Sequence, residues 1–197
     1  MSRDCKILWM DTETTGLDSK TQEIIEFACI VDINGKEVDR KTWEIRPELW
    51  DNISPEALKV NKRTIPELKK FQLTQKQFLI EFIKFIKDYV DMNDKWDYFV
   101  IGAHNASFDK DMLYETFCRY GIQKRWDTIF RHQLIDTSVF PIFTHYMDKD
   151  QYNCHYSLKQ TAQQFEVPFD KKKAHGAMYD TEVCRRLFRK SIGVDDD

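Results

Sequence analysis

A hairpin signal near the start of the chain constrains the fold more than any other feature. Two segments rich in β-branched and aromatic residues, 23–33 and 36–46, flank the dipeptide Asn34-Gly35. Asn-Gly favours the left-handed backbone of a two-residue β-turn, and its neighbours favour strands. A similar apolar segment at 5–11 precedes them. The chain is therefore predicted to begin as an antiparallel meander of three strands.

The remaining sequence predicts helices that alternate with strands. Helices are expected from Ser54, over 74–90, from Ser107, and near 137–146, 157–165 and 177–191, with strands at 98–103 and 132–137. This order predicts one α/β domain over residues 1–197, with a mixed sheet, antiparallel and then parallel, between helices. A ligand crevice is expected outside the ends of the central strands. The aromatic stripe of the helix at 74–90, together with Trp9 and Trp43, is interpreted as core.

Composition limits the classes of function. A net charge of -3 argues against a protein that coats nucleic acid through bulk positive charge. The sequence lacks an apolar run long enough for a signal peptide or a membrane span, which predicts a cytoplasmic or nuclear protein that is not secreted. Its five cysteines form no C-x-x-C pair and are expected to be reduced.

Acidic residues at the end of the first predicted strand indicate chemistry. Asp11 and Glu13 are two positions apart, so their side chains share a face, and two like charges there need a basic side chain or a divalent metal. Asp109 follows the central strand, His175 precedes the last helix, and Asp180 lies within it. Carboxylate oxygens suit Mg²⁺ or Mn²⁺, and two such ions about 3.5 to 4 Å apart promote phosphoryl transfer to water. Because histidine titrates near neutral pH, His175 is the candidate general base.

Three motifs make this interpretation specific. D-T-E-T-T-G at 11–16, H-N-A-x-F-D at 104–109 and H-G-A-x-x-D at 175–180 resemble the exonuclease motifs of the DEDDh superfamily, which includes the proofreading subunit of bacterial replicative polymerases and ribonuclease T. The similarity extends over about residues 5–190. It implies a ribonuclease H-like fold and 3′-to-5′ removal of nucleotides.

The resemblance also implies roles for individual residues. Metal binding falls on Asp11, Glu13, Asp109 and Asp180, and general-base catalysis falls on His175, with Glu13 also counted as catalytic. A sister subclass carries tyrosine four positions before the last aspartate, where this chain has Gly176. The chain is therefore assigned to the histidine subclass.

The resemblance implies contacts to the terminal nucleotide from five residues: Thr14, Thr15, His104, Asn105 and Phe108. Alternatively, His104 and Asn105 form hydrogen bonds within their loop and Phe108 belongs to the core. Asp136 is a further acid near the site, interpreted as a strand-end residue and helix cap. His132, His145 and His155 have no partner at ligand spacing and are interpreted as surface or core residues.

Many enzymes of the superfamily that the chain resembles carry His-Gly or Asn-Gly at the end of the segment "ISPEALKVN", where this chain reads Asn61-Lys62-Arg63-Thr64. Without glycine the backbone is expected to take a different path, and Lys62 and Arg63 are hypothesised to reach substrate phosphates. The basic loop Lys171-Lys172-Lys173, just before His175, is hypothesised to guide the nucleic-acid strand.

The leading hypothesis is a two-metal 3′-5′ exonuclease that acts on single-stranded DNA and releases nucleoside 5′-monophosphates. Three alternatives stay open: a 3′-5′ exoribonuclease, a polymerase-associated proofreading subunit, and a catalytically silent nucleic-acid-binding module. The complete set of acids favours an enzyme. The short sequence after the last helix favours one that works without a polymerase.

Overall fold

The computed structural model describes residues 3–145 and 156–194, and a six-stranded mixed sheet forms its centre. The strands are β1 Lys6–Thr14, β2 Ile24–Ile33, β3 Lys36–Arg46, β4 Leu73–Thr74, β5 Phe99–Ala103 and β6 Phe130–Asp136. Their spatial order is β4-β3-β2-β1-β5-β6. β1, β2 and β3 pair antiparallel, whereas β5 and β6 run parallel to β1. The predicted meander followed by parallel strands is confirmed.

The hairpin between β2 and β3 has the predicted geometry. Asn34 and Gly35 both have positive φ angles, 55° and 80°, as a type I′ turn requires. β1 is longer than predicted and continues to Thr14, so Asp11 and Glu13 belong to the strand itself. Consequently the hydrogen bonds of the β1–β2 ladder hold the backbone of both acids.

Seven helices surround the sheet in the described part of the chain. They are α1 Pro55–Val60, α2 Ile65–Leu68, α3 Gln75–Ile86, α4 Ala106–Arg119, α5 Phe140–His145, α6 Leu158–Gln164 and α7 Ala177–Ser191. Ser54, Thr74 and Ser157 cap α1, α3 and α6 by accepting a backbone N–H in the first turn. α2 and β4 were not predicted. The predicted helix at 137–146 begins as a 3-10 turn, Thr137–Val139, before α5, and its last residue is outside the described residues.

Helices cover the two faces of the sheet. On one face, Phe78 and Phe82 of α3 pack against Phe27 and Trp43 with ring centroids 5.3 to 6.1 Å apart. On the other face, α7 packs against Trp9 of β1, whose ring lies 5.3 Å from that of Phe188. The core interpretation of the aromatic stripe and of both tryptophans is confirmed. α7 is thereby held against the strand that carries Asp11 and Glu13.

The described cysteines, Cys5, Cys29, Cys118 and Cys184, form no disulfide. His132 is exposed, as expected for a surface residue, whereas the side chains of His145 and His155 are outside the described residues. No helix among the described residues combines the length and the apolar character needed to cross a bilayer.

Candidate active site

The strand β1 presents two acids on one face. Asp11 and Glu13 alternate with Thr12 and lie opposite Ala28 and Glu26 of β2. Glu13 is only 7% exposed and Asp11 is half-buried. Within the described residues, neither carboxylate accepts a hydrogen bond or forms an ion pair. These two acids therefore lack the partners that buried carboxylates normally have.

Asp109 reaches the site from the first turn of α4. It is 3% exposed, and its Oδ1 accepts hydrogen bonds from the backbone N–H of Thr12 at 2.9 Å and from the Thr12 hydroxyl at 2.7 Å. Because β5 runs parallel to β1 and leads into α4, the carboxyl ends of both strands lie at the same end of the sheet. Asp109 is thus fixed beside the acids of β1.

Asp136 fixes the entrance to α4. Its Oδ1 accepts the Asn105 N–H at 2.9 Å and its Oδ2 accepts the Ala106 N–H at 3.1 Å. It also accepts the Ser138 N–H, at 2.9 Å, as the cap of its own 3-10 turn. Asn105 has a left-handed backbone, with φ 62°. The cap interpretation of Asp136 is confirmed, and it extends to a second helix.

The loop before α7 and its first turn supply the remaining groups. His175 is exposed and left-handed, with φ 65°, and its backbone N–H donates to Asp180 Oδ2 at 3.1 Å. Asp180 is 8% exposed, and its Oδ1 is buried with no hydrogen-bond partner among the described residues. One ligand atom from each of Glu13, His175 and Asp180 lies within 4.8 Å of the other two. Acids and histidine from β1 and α7 therefore converge.

Burial, and to a smaller extent the proximity of these acids to one another, raises their pKa values. Burial raises the pKa of Glu13 from 4.5 to about 8, and the charges of Asp180, Glu26 and Asp109 add to the effect. Burial raises the pKa of Asp109 from 3.8 to about 7, against the hydrogen bonds from Thr12. Removal from water, followed by the charges of Asp109 and Glu13, holds the pKa of Asp11 well above its usual range. The chain therefore gathers negative charge that it does not itself neutralise.

The residues fit a divalent cation. Four carboxylates offer hard oxygen donors, the buried Oδ1 of Asp180 has no other partner, and a bound cation would relieve the repulsion that raises the pKa values. No cysteine belongs to this group of ligands. Oxygen-rich sites of this type suit Mg²⁺ or Mn²⁺.

A small apolar cleft adjoins Glu13. It has a volume of about 290 Å³, and Thr14, Leu17, Val60 and Phe108 are among the residues that line it. Leu17 is 85% exposed and Val60 is 52% exposed, which is unusual for large apolar side chains so close together. The cleft offers apolar contacts for a flat ring beside the acids.

Of the five predicted nucleotide contacts, Thr14 and Phe108 line this cleft. Phe108 also packs against the main core, so part of the alternative interpretation holds for it. The Thr14 hydroxyl donates to the Gly16 carbonyl at 2.6 Å. Thr15 is buried, and its hydroxyl accepts the Glu23 N–H at 2.9 Å. Thr15 is therefore engaged in holding the loop.

The other two residues, His104 and Asn105, are not among the residues that line the cleft. His104 contacts the Thr137 hydroxyl through Nδ1 at 3.0 Å and the Tyr156 carbonyl through Nε2 at 2.9 Å, and burial lowers its pKa. These contacts match the loop-bonding alternative. Asn105 has an exposed side chain. Nucleotide binding by all five residues stays a prediction.

The sequence interpretation missed Glu26 and misjudged Lys62. Glu26 is 8% exposed, is paired with Arg63, and accepts the Ala177 N–H at 3.2 Å. An acid within the apolar run "IIEFAC" was the available signal, because a buried charge needs a specific partner. The expected change of backbone path was wrong, since Lys62 itself adopts φ 55° after α1. The lysine occupies the left-handed position that usually favours glycine.

The fold and the site together define a class: metal-dependent nucleases with a ribonuclease H-like fold. Residues 8–188 match the family described as Exonuclease, and the chain belongs to this family. It is a 3′-5′ exonuclease of the DEDDh group, and hence a nucleic-acid-binding hydrolase.

Curated relatives include two kinds of enzyme. Ribonuclease T of Actinobacillus pleuropneumoniae is 30% identical over 184 residues, which is 91% of this chain and 79% of the relative. The PolC-type DNA polymerase III of Mycoplasma genitalium is 22% identical over 185 residues, or 94% of this chain and 11% of the polymerase.

Solved structures of exonuclease I share the fold. One structure of exonuclease I, which suggests how processivity is achieved, superimposes on this chain with a TM-score of 0.72 at 16% identity. The match covers 95% of this chain. A zinc-bound E. coli exonuclease I complex with single-stranded DNA gives 0.71 at 15% identity, again over 95% of this chain. In both comparisons this chain spans 40% of the exonuclease I chain.

Proposed function

We propose that this enzyme removes nucleotides one at a time from the 3′ end of single-stranded DNA and releases nucleoside 5′-monophosphates. The observation that carries the proposal is that ligand atoms of Glu13, Asp180 and His175 meet within 4.8 Å, while Asp11 and Asp109 lie close enough to repel these acids and none of the four acids has a lysine or arginine at ion-pair distance among the described residues. A phosphodiester brings further negative charge to this cluster. Its binding therefore requires positive charge from solution.

Asp11, Glu13, Asp109 and Asp180 would hold two Mg²⁺ or Mn²⁺ ions. When bound, such ions supply positive charge that stabilises the reacting phosphate and aligns the attacking and leaving oxygens. The hydrogen bonds from Thr12 orient Asp109, and the His175 N–H orients Asp180. The protein thus orients the Asp109 and Asp180 carboxylates before any ligand arrives.

His175 acts as the general base. Its exposed ring lies within reach of the carboxylates of Glu13 and Asp180, where it can accept a proton from the attacking water. The water oxygen bonds to phosphorus and the bond from phosphorus to O3′ breaks. The terminal nucleotide leaves with its 5′-phosphate, and the shortened strand keeps a 3′-hydroxyl after protonation from solvent.

The cleft beside Glu13 would receive the terminal nucleotide. Leu17, Val60 and Phe108 provide apolar contacts for a base, and Thr14 lies at the same wall. Apolar packing does not select one base strongly. We therefore expect broad base tolerance at the 3′ end.

RNA is the second candidate substrate, favoured by the 30% identity to a protein named ribonuclease T. The single-stranded DNA in the exonuclease I complex favours DNA. Discrimination depends on contacts to the 2′-hydroxyl. Association with a polymerase, suggested by the PolC-type relative, is a further candidate that copurification would test.

The test is digestion of 5′-labelled DNA and RNA strands of one sequence with Mg²⁺, Mn²⁺ or EDTA. The wild type should give a ladder that shortens from the 3′ end with either metal and not with EDTA. Asp11→Ala and His175→Ala should abolish the ladder, whereas Asp88→Asn, at an exposed acid outside the site, should preserve it. Cleavage in EDTA, or full activity of Asp11→Ala, would contradict the proposal.

A further inference from the structure

Three consecutive residues after α1, Asn61, Lys62 and Arg63, form side-chain contacts with β1, with the loop before α7 and with β2, respectively. They are called the Asn61–Arg63 turn. The Asn61 side-chain amide donates to the Thr14 carbonyl at 2.8 Å, at the end of the strand that carries Asp11 and Glu13. Asn61 is 8% exposed, so this contact is shielded from water. The turn is thereby attached to β1.

Lys62 contacts the loop that carries the histidine. Its Nζ donates to the Ala174 carbonyl at 2.9 Å, one residue before His175. The backbone of Lys62 is left-handed, with φ 55°, and changes the direction of the chain after α1. The Arg63 N–H then donates a hydrogen bond to the Leu58 carbonyl at 3.0 Å. This bond is the outer bond of a Schellman motif, which fixes the turn at the helix end.

Arg63 is linked to the other end of this loop indirectly, through Glu26 of β2. The guanidinium pairs with Glu26 and, at 3.2 Å, with Glu44, while the second oxygen of Glu26 accepts the Ala177 N–H. Ala174 and Ala177 bracket His175 and Gly176. One turn therefore holds the histidine loop on both sides while it is attached to the strand of the acids.

We propose that the Asn61–Arg63 turn is a positioning device that sets His175 relative to the acids of β1, with Lys62 as its adjustable contact. The inference rests on the proposed role of His175 as general base. His175 has an exposed side chain and a left-handed backbone, and among the described residues its backbone forms one hydrogen bond, from its N–H to Asp180. Contacts on its flanks are what restrict its placement, and small displacements of a catalytic group cost large factors in rate.

The hypothesis that Lys62 and Arg63 reach substrate phosphates predicts a different effect on the kinetic constants. In the structure, both side chains are engaged by groups of the protein itself. A phosphate contact would appear in KM and its salt dependence, whereas a positioning contact would appear in kcat. The two roles are therefore separable by kinetics.

The experiment uses Lys62→Met, which removes the charge and the donor from an exposed side chain, and Lys59→Met as a matched control on α1. We expect kcat on single-stranded DNA to fall about fivefold in Lys62→Met with KM within about twofold, and no change in Lys59→Met. Lys62→Arg, which keeps a charged donor, should recover most of the kcat. A raised KM with a smaller salt dependence and an unchanged kcat would overturn the proposal in favour of phosphate contact.

A second measurement does not require activity. Trypsin can cleave the exposed segment Lys171-Lys172-Lys173, and loss of the Lys62 contact should speed this cleavage in EDTA, while Lys59→Met cleaves at the wild-type rate. Unchanged cleavage would show that Lys62 does not restrain the loop and would overturn the proposal. If the wild type had no exonuclease activity while the cleavage rates differed as expected, the proposed function would fail and the restraint would stand.

Discussion

Buried acids of this protein fall into two groups that the fold treats differently. Members of the first group each pair with an arginine: Glu23 with Arg119 at 3.3 Å, Asp32 with Arg185 at 2.8 Å, and Glu26 with Arg63. Members of the second group, Asp11, Glu13, Asp109 and Asp180, have no lysine or arginine at ion-pair distance among the described residues. The chain neutralises the acids that join its elements. The four acids of the candidate active site have no such partner among the described residues.

The difference follows from what each acid contacts. Arg185 of α7 reaches Asp32 of β2, and Arg189 donates to the Gly35 carbonyl at 2.7 Å, so the arginines of α7 attach that helix to the hairpin. Clustered basic residues on a helix usually form a solvated face, but Arg185 and Arg189 are both buried. These two arginines therefore hold α7 to the hairpin.

The largest effect is expected from the second group of acids. Asp11→Asn removes a carboxylate from the proposed metal site and should lower exonuclease activity about a thousandfold or more, since metal stabilisation is worth several kcal/mol. Because it also removes a repelling charge, its melting temperature in EDTA should not fall. Kinetics and thermal unfolding measured in parallel check both expectations. A large loss of stability would place Asp11 in the first group.

A stability effect is expected from the first group. Arg185→Met leaves Asp32, which is 3% exposed, without its cation and should destabilise the protein by about 3 kcal/mol. For a chain of this size the melting temperature should fall by roughly 6 to 12 °C. The variant should keep metal-dependent cleavage at temperatures where it is folded. Lys190→Met, at an exposed position of α7, is the control and should unfold like the wild type.

A smaller effect couples pH to metal. The pKa values of two acids of the candidate active site are raised in the folded protein, to about 7 for Asp109 and about 8 for Glu13. Their contribution to stability is therefore most favourable below the unfolded values near 4 and is lost as pH rises toward 8. In EDTA the wild type should lose more stability between pH 5 and pH 8 than Glu13→Gln does. At pH 8, Mg²⁺ at ten times its Kd should restore about 1.4 kcal/mol to the wild type.

The smallest effect is expected from an exposed ion pair. Arg3 and Asp94 lie 3.2 Å apart with side chains 56% and 43% exposed. Arg3→Ala should leave the free energy of unfolding, as measured by urea denaturation, the same as that of the wild type within error, because solvent screens exposed pairs. A change as large as that of Arg185→Met would mean that pairing matters irrespective of burial.

Much of the site could be predicted because its signals are local. Strand alternation places Asp11 and Glu13 on one face, and the positions of Asp109, His175 and Asp180 at the starts of helices bring them to the same edge of the sheet. The turn at Asn34-Gly35 likewise needs only two residues. The motif resemblance joined these local signals into one site.

Other features depend on contacts that sequence spacing does not reveal. Glu26 and Arg63 are 37 positions apart and meet only in the folded protein. Lys62 takes a left-handed backbone because its neighbours are held on both sides, which outweighs its own preference. The start of α2 carries a sequence signal, because Thr64 and Glu67 form a capping box. The helix was nevertheless not predicted, because it is four residues long and its apolar pattern is weak.

The most direct test of the central claim is calorimetric titration of the metal-free enzyme with Mn²⁺ near pH 7.5, comparing the wild type with Glu13→Gln and with the exposed-acid control Asp88→Asn. The wild type and Asp88→Asn should bind two ions with the same affinities, and Glu13→Gln should lose at least one of them. Absence of Mn²⁺ binding by the wild type, or unchanged binding by Glu13→Gln, would contradict the proposal that Asp11, Glu13, Asp109 and Asp180 form the metal site.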